Sequence, residues 1–164
     1  MGVAAHPLDF EGFFRDEYPR LARACYLLTG DAAEAEDLAQ EAMARAYERW
    51  DRVALMESPA GYLYRTAFNL NRKRIRRLSV AARRTIGQMP PRDPAEIAEA
   101  RSEVLLALDS VPRDQREALI LVGWLEMTAV EAAQTLGIAP ESVRGRMHRA
   151  RITLRETLGE NDDV

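Results

Sequence analysis

Apolar residues along this chain recur every three or four positions, the repeat of one face of an α-helix, and no convincing stretch alternates with the period of two expected of a half-buried strand. Phe10, Phe13, Phe14, Leu21 and Tyr26 supply such a stripe to a first predicted helix at about 9–28. Thr29-Gly30-Asp31 ends it, with Gly30 suited to a left-handed cap. Leu38, Ala42, Ala46 and Trp50 recur every four residues through a second helix at about 32–49, flanked by Met43 and Tyr47. Ser58-Pro59 is a start signal, because Ser accepts a bond from a free helical N–H and Pro fits the first turn. The third helix then passes Leu63, Ala67, Leu70 and Ile75 to end near 77. Periodicity fades over 79–96, where Gly87, Pro90, Pro91 and Pro94 punctuate a predicted flexible linker. Helical spacing returns near Ile97 with Val104, Leu105 and Leu108, breaks at Pro112, and resumes from Arg113 to Leu125. The pattern predicts an all-α fold of two small helical domains.

The 164 residues suffice for one compact domain or two very small ones. A single cysteine, Cys25, excludes a disulfide framework or a cysteine metal cluster. The N-terminus lacks a basic start followed by an apolar core, and no apolar run reaches the ~20 residues that cross a bilayer. The expected location is therefore cytoplasmic, without membrane insertion. A net charge of −3 argues against a nucleic-acid partner only until its distribution is considered. Residues 58–92 hold 9 basic and no acidic side chains, and 142–155 hold 5 basic and none acidic. Residues 1–57 and 93–141 are strongly acidic. Two positive blocks separated by negative ones favour a polyanion at two places.

The second positive block follows a helix-turn-helix signature. Thr128 and Glu131 have the spacing of a capping box, Gly137 sits where a tight turn needs a positive φ, and Pro140 starts the next helix. Ile138 and Val143 are expected between the helices, and Val143, Met147 and Leu154 toward the core. Arg144, Gly145, His148 and Arg149 then face outward, on a helix of the kind that enters the major groove. In the first positive block aromatics and amides interleave with cations. Aromatic faces stack on unpaired bases, arginines track phosphates, and Asn69 and Asn71 offer donors and acceptors to base edges. Tyr62, Tyr64 and Phe68 equally suit a core. On the second helix, Asp37, Gln40 and Glu41 share a face opposite the apolar one; their spacing alone fits a solvated surface. No nucleophile, metal-ligand set or phosphate loop accompanies these carboxylates, so an enzyme is not indicated and no cofactor or metal is expected.

Together these motifs resemble the extracytoplasmic-function sigma factors, the smallest members of the sigma-70 family of RNA polymerase subunits. The resemblance covers about residues 8–78, as region 2, and 97–158, as region 4, with 79–96 as linker. It implies that Asp37-Leu-Ala-Gln40-Glu41 docks on a coiled coil of the largest subunit of core RNA polymerase. It implies that the stretch from Ser58 to Arg77 melts and reads the −10 promoter element through Tyr62, Tyr64, Arg65, Asn69, Asn71, Arg72, Arg76 and Arg77, with a base flipped beside a loop at about Val53 to Ala60. Leu108 to Arg116 resembles the start of region 4. Ser142, Arg144, Gly145, Arg146, His148, Arg149 and Arg151 resemble its −35 reader. The implied partners are core polymerase, promoter DNA and an anti-sigma protein. Departures from the family pattern are Tyr62 where many relatives carry Trp, Lys73 where they carry Asp, and Gly145 where they carry Ser. The alternative is a helix-turn-helix regulator that binds duplex DNA without docking on polymerase.

Overall fold

Helix ends in this protein are set by short-range bonds, and a computed structural model describes residues 8–84 and 103–159. Helix α1 (Phe10–Thr29) starts where the Asp9 carboxylate accepts from the Gly12 N–H and stops at Gly30, whose φ of 69° lets its N–H donate to the Tyr26 carbonyl at 2.8 Å. Helix α2 (Ala32–Glu48) is capped by Asp31, which accepts from the Glu34 N–H at 3.0 Å. A single turn, α3 (Trp50–Val53), leads to α4 (Pro59–Arg84). Ser58 Oγ accepts from the Gly61 N–H at 3.0 Å. A Cβ on Gly61 would lie 2.8 Å from that oxygen, so this cap closes best around a glycine.

Helix α4 runs to Arg84, past the expected boundary at 78, and residues 79–84 are helical rather than linker. No Gly or Pro interrupts before Gly87, and Ala81, Ala82, Arg83 and Arg84 are strong helix formers. The rest of the expected linker and the return of helical spacing at Ile97 lie outside the described residues. The second half contains α5 (Glu103–Asp109), α6 (Arg113–Leu119), α7 (Ala129–Leu136) and α8 (Pro140–Gly159). The stretch expected to be one helix to Leu125 instead widens into a π-turn over Ile120–Trp124. The Leu125 N–H reaches Ile120 O and the Met127 N–H reaches Leu121 O, each at 3.0 Å, and Glu126 turns the chain at φ 56°. The Thr128–Glu131 capping box and the left-handed Gly137, φ 68°, form as the sequence predicts.

Helices α1, α2 and α4 pack as one bundle. Ala39, Ala42 and Ala46 on α2 and Ala67 on α4 are fully buried, and their small side chains let the backbones approach closely around Leu21 and Leu63. Two residues of the expected stripes lie outside this core. Phe14 and Tyr47 are exposed, and they join Phe10, Tyr18 and Trp50 in an aromatic cluster in which Phe14 stacks on Tyr18 at 4.8 Å. In the second half Val104 is likewise exposed, while Leu105 and Leu108 are buried.

The halves touch. Apolar contact is continuous from the first bundle into Ala118, Leu121, Ala132 and Val143, and α4 lies against α7. Across this seam Arg72 Nη2 donates to Glu117 Oε2 at 2.6 Å, and Nε donates to Oε1 at 3.2 Å. Arg20 Nη2 donates to the Leu125 carbonyl at 3.5 Å, and the Arg23 guanidinium lies 5.8 Å from the centre of the Trp124 ring.

Cys25 gives a direct check on the bundle. Its side chain is wholly buried and desolvation pushes its thiol up to about 12, so at pH 8 the reactive thiolate is scarce as well as shielded. A disulfide thiol reagent at pH 8 is expected to leave the native protein unmodified on the timescale in which the urea-unfolded chain reacts fully. Equal rates in the two states would contradict this packing.

Candidate nucleic-acid interface

Asp37, Gln40 and Glu41 stand exposed on α2, with Leu38, Ala39, Ala42 and Ala46 facing the core on its other side. Gln40 Nε2 donates to Glu36 Oε1 at 3.2 Å, and Arg45 Nη2 donates to Glu41 Oε1 at 2.9 Å, both at the surface. The stripe is therefore an accessible acidic ridge, whose exposed ion pair is worth little by itself.

Helix α4 divides the residues expected to meet a DNA strand. Tyr62, Arg65, Asn69 and Arg76 follow one another at intervals of three, four and seven, so they share one open face with Lys73. Arg77 is exposed beside them on the outer turns. Tyr64 and Asn71 are not on that face. Both are 2% exposed, because they follow the register of Leu63, Ala67, Phe68 and Leu70. Tyr64 Oη donates to Glu17 Oε2 at 3.1 Å; burial first, and that carboxylate second, push its phenol pKa upward. In this arrangement neither side chain reaches the surface.

Arg72 lies on the flank of α4, where its guanidinium bridges Asn69 Oδ1 on the open face (from Nη1, 3.3 Å) and Glu117 Oε2 across the seam (from Nη2, 2.6 Å). Glu117 is 2% exposed and the Arg72 side chain 25%. The hydrogen bond to Glu117 holds the guanidinium charged and outweighs the opposing effect of burial. Neighbouring Arg74 pairs with Glu34 on α2.

Between α2 and α4 runs a groove of about 600 Å³, lined by Tyr62, Arg65, Asn69 and Lys73 from α4 and by Glu41, Arg45, Glu48 and Arg49 from the C-terminal end of α2. The two α2 arginines were not singled out by the motifs, since they follow an acidic stripe in sequence. Only the pairing of helices reveals that they face the same groove. Four cations against two carboxylates leave the groove net positive, and with a half-buried aromatic ring and an exposed amide it has the chemistry of a single-strand site. A second cleft, of about 720 Å³, opens beside the loop before α4, where Met56, Glu57 and Ser58 face Glu126, Glu131 and Gln134 of the second half. In the Val53–Ala60 loop Val53 is buried and Leu55 is 83% exposed.

In the second half, α7 and α8 form the expected helix-turn-helix. Val143, Met147 and Ala150 anchor α8 in the core; Leu154 and Ile138 are half-buried. Ser142, Arg144, His148, Arg149 and Arg151 are exposed, with Gly145 half-buried among them. A Cβ on Gly145 would meet the Arg149 guanidinium at 3.4 Å, so the glycine leaves that side chain room to lie along the helix. Arg144 is also 3.5 Å from Glu141, an exposed pair that a phosphate could displace. Arg146 differs from its neighbours: it is half-buried, and its Nε lies 3.8 Å from Asp114 on α6. It ties α8 to the body of the second half.

Comparison with known proteins agrees with this geometry. The family model "Sigma-70 region 2" matches residues 13–80, and "Sigma-70, region 4" matches residues 101–154. The RNA polymerase sigma-E factor of Streptomyces coelicolor is 31% identical over 157 residues, covering 94% of this chain and 89% of that protein. The ECF RNA polymerase sigma factor SigW of Bacillus subtilis is 28% identical, covering 92% and 87%. Among solved structures, the sigma factor RpoE in complex with the anti-sigma factor NepR, from Bartonella quintana, aligns with a TM-score of 0.79 at 25% identity, covering 92% of this chain and 97% of that one. CnrH in complex with the cytosolic domain of CnrY aligns with a TM-score of 0.66, also at 25% identity, covering 94% and 89%. With an acidic ridge, a cationic groove and a helix-turn-helix on two sigma-type modules, the chain belongs to the sigma-70 family and is an RNA polymerase sigma factor of the extracytoplasmic-function type.

Proposed function

We propose that this sigma factor divides its work among three surfaces. Asp37, Gln40 and Glu41 bind core RNA polymerase. Tyr62, Arg65, Asn69, Arg76 and Arg77, with Arg72 once it is released from Glu117, hold the opened non-template strand at the −10 element. Ser142, Arg144, Gly145, His148, Arg149 and Arg151 read duplex DNA at the −35 element. Tyr64, Asn71 and Arg146 support these surfaces from behind rather than touching DNA. The proposed domains are 8–78 for region 2 and 97–158 for region 4. The chain carries out no bond chemistry. Binding of unpaired bases offsets the cost of melting the duplex.

The observation that carries this reading is the sorting of charge over the surface: an exposed acidic ridge on α2, and two arginine-rich faces on α4 and α8. The alternative, a regulator that binds duplex DNA alone, leaves the α4 groove and the α2 ridge without a use. An anti-sigma protein is a further proposed partner. Two solved relatives that align over both halves of this chain were captured in complexes, RpoE with the anti-sigma factor NepR and CnrH with the cytosolic domain of CnrY. No helix among the described residues is long and apolar enough to cross a membrane, and we place the protein in the cytoplasm with its polymerase.

Reversing the ridge with Asp37→Arg/Glu41→Arg is expected to weaken capture of core polymerase at least tenfold and to abolish run-off transcription, while thermal stability changes little because both residues are exposed. Unchanged capture would remove the reading. Arg149→Ala is expected to lower affinity for a −35 duplex by about 1–3 kcal/mol if it reads a base, or uniformly across sequences with a shallower salt slope if it holds phosphate. Polymerase capture should survive this change. The two tyrosines separate reader from support: Tyr64→Ala is expected to cost about 3–5 kcal/mol of stability by urea unfolding, whereas Tyr62→Ala costs less and instead weakens binding to −10 single strand.

A further inference from the structure

The two DNA-reading helices are close together here. Helix α4 packs on α7, and α7 packs on α8. Packed helix axes lie ~8–10 Å apart, so α4 and α8 are separated by about 20 Å. The −10 and −35 elements, as their names state, are centred roughly 20 or more base pairs apart, about 70 Å along B-form DNA at 3.4 Å per step. The closed arrangement therefore cannot place both helices on their elements at once. It also occupies one reader, since Arg72, at the edge of the open face beside Asn69, donates across the seam to Glu117.

What holds the seam is specific. Glu117 accepts two hydrogen bonds from Arg72, at 2.6 and 3.2 Å, with its carboxylate almost wholly removed from water. Short bidentate arginine–carboxylate geometry is the strong form of such a bond, and burial spares it from screening by salt. The other bonds across the seam are weaker: Arg20 to the Leu125 carbonyl at 3.5 Å, and Arg23 over Trp124. No other carboxylate among the described residues lies within ion-pair distance of Arg72. We infer that the Arg72–Glu117 pair is an intramolecular latch, which holds regions 2 and 4 closed in the free sigma factor and must break before the protein can engage a bipartite promoter. The closure rests on the geometry alone; its consequence for DNA rests on the proposed role of α4.

The sign of the effect follows from linkage. A ligand that binds only the open form, a promoter carrying both elements, must work against the closed population, and its apparent affinity falls by the open fraction. Removing Arg72 leaves the Glu117 carboxylate buried without its counter-charge in the closed form only, and removing the Glu117 charge takes from the closed form its strongest bond across the seam, whereas in the open form both groups are hydrated. Loss of either partner therefore shifts the molecule toward the open state.

The test is Förster transfer between dyes on Asp16→Cys in α1 and Glu156→Cys in α8, both exposed, with Cys25 left in place as the shielded native thiol. The free protein is expected to give one high-transfer population. Glu117→Gln, nearly the same size, is expected to raise the open-to-closed ratio by about tenfold or more. Arg72→Gln should do the same, and the double variant should open no further than either single one. Circular dichroism melts confirm that each variant stays folded. In parallel, free Glu117→Gln is expected to bind a forked probe carrying both elements more tightly than wild type, and a −35 duplex alone equally well. Unchanged transfer in folded Glu117→Gln overturns the latch, as does additive opening in the double variant. Opening without a gain on the forked probe leaves the latch standing and overturns the role given to α4.

Discussion

A carboxylate inside a protein needs bonds to replace those it made to water, and Glu117 meets that need with a residue 45 positions away. The requirement fixes more than two side chains. For Arg72 to reach Glu117, α4 must lie along α7, the π-turn must come against α1, and the apolar edges of the two halves must meet. Replacing such a pair by well-packed apolar residues often costs nothing, so its presence says little about overall stability and more about which arrangement of the halves is selected. An apolar seam would hold the halves together without preferring a register or giving them a hydrated alternative. A charged one closes in one geometry and opens into water with both groups satisfied.

The charges of the surface and those of the seam belong to one scheme. Region 4 carries an acidic α5–α6 segment before its basic helix α8, and that acidity supplies both Glu117, for Arg72 on α4, and Asp114, for Arg146 on α8. The arginines that remain outward, Arg65, Arg76, Arg144 and Arg149 among them, are those whose helical register takes them away from these carboxylates. This negative segment thus selects, by position, two cations that are tied to the protein, while others stay at the surface.

Much of this was legible in the sequence, for a physical reason: helix caps are bonds between residues two to four apart, so Ser58, Thr128, Gly30 and Gly137 declare themselves locally. The apolar spacing of α2 gave its buried and exposed faces, and hence the exposure of Asp37 and Glu41. Other features needed the third dimension. The split between Tyr62 and Tyr64, and between Asn69 and Asn71, was latent in the register set by Leu63, Ala67 and Leu70, but amino-acid type alone suggests that all four suit a base. The extension of α4 through Arg84 was hidden because loss of apolar periodicity reads as loss of helix, when it marks only the loss of anything to pack against. The Arg72–Glu117 pair, the groove arginines Arg45 and Arg49, and the π-turn leave no short-range signal, since each is defined by what a distant helix brings beside it.

That overhang of α4 has a consequence of its own. From Arg76 to Arg84 every side chain is exposed, so these turns gain nothing from a core and rest on backbone bonds and intrinsic propensity. Four arginines crowd this segment and repel one another, although Arg83 and Arg84 at its end also favour the negative pole of the helix. Counter-ions relieve the first effect. The tip of α4 is thus poised near its own coil transition, and an adjacent polyanion would do more than neutralise it: it would steady these last turns as helix.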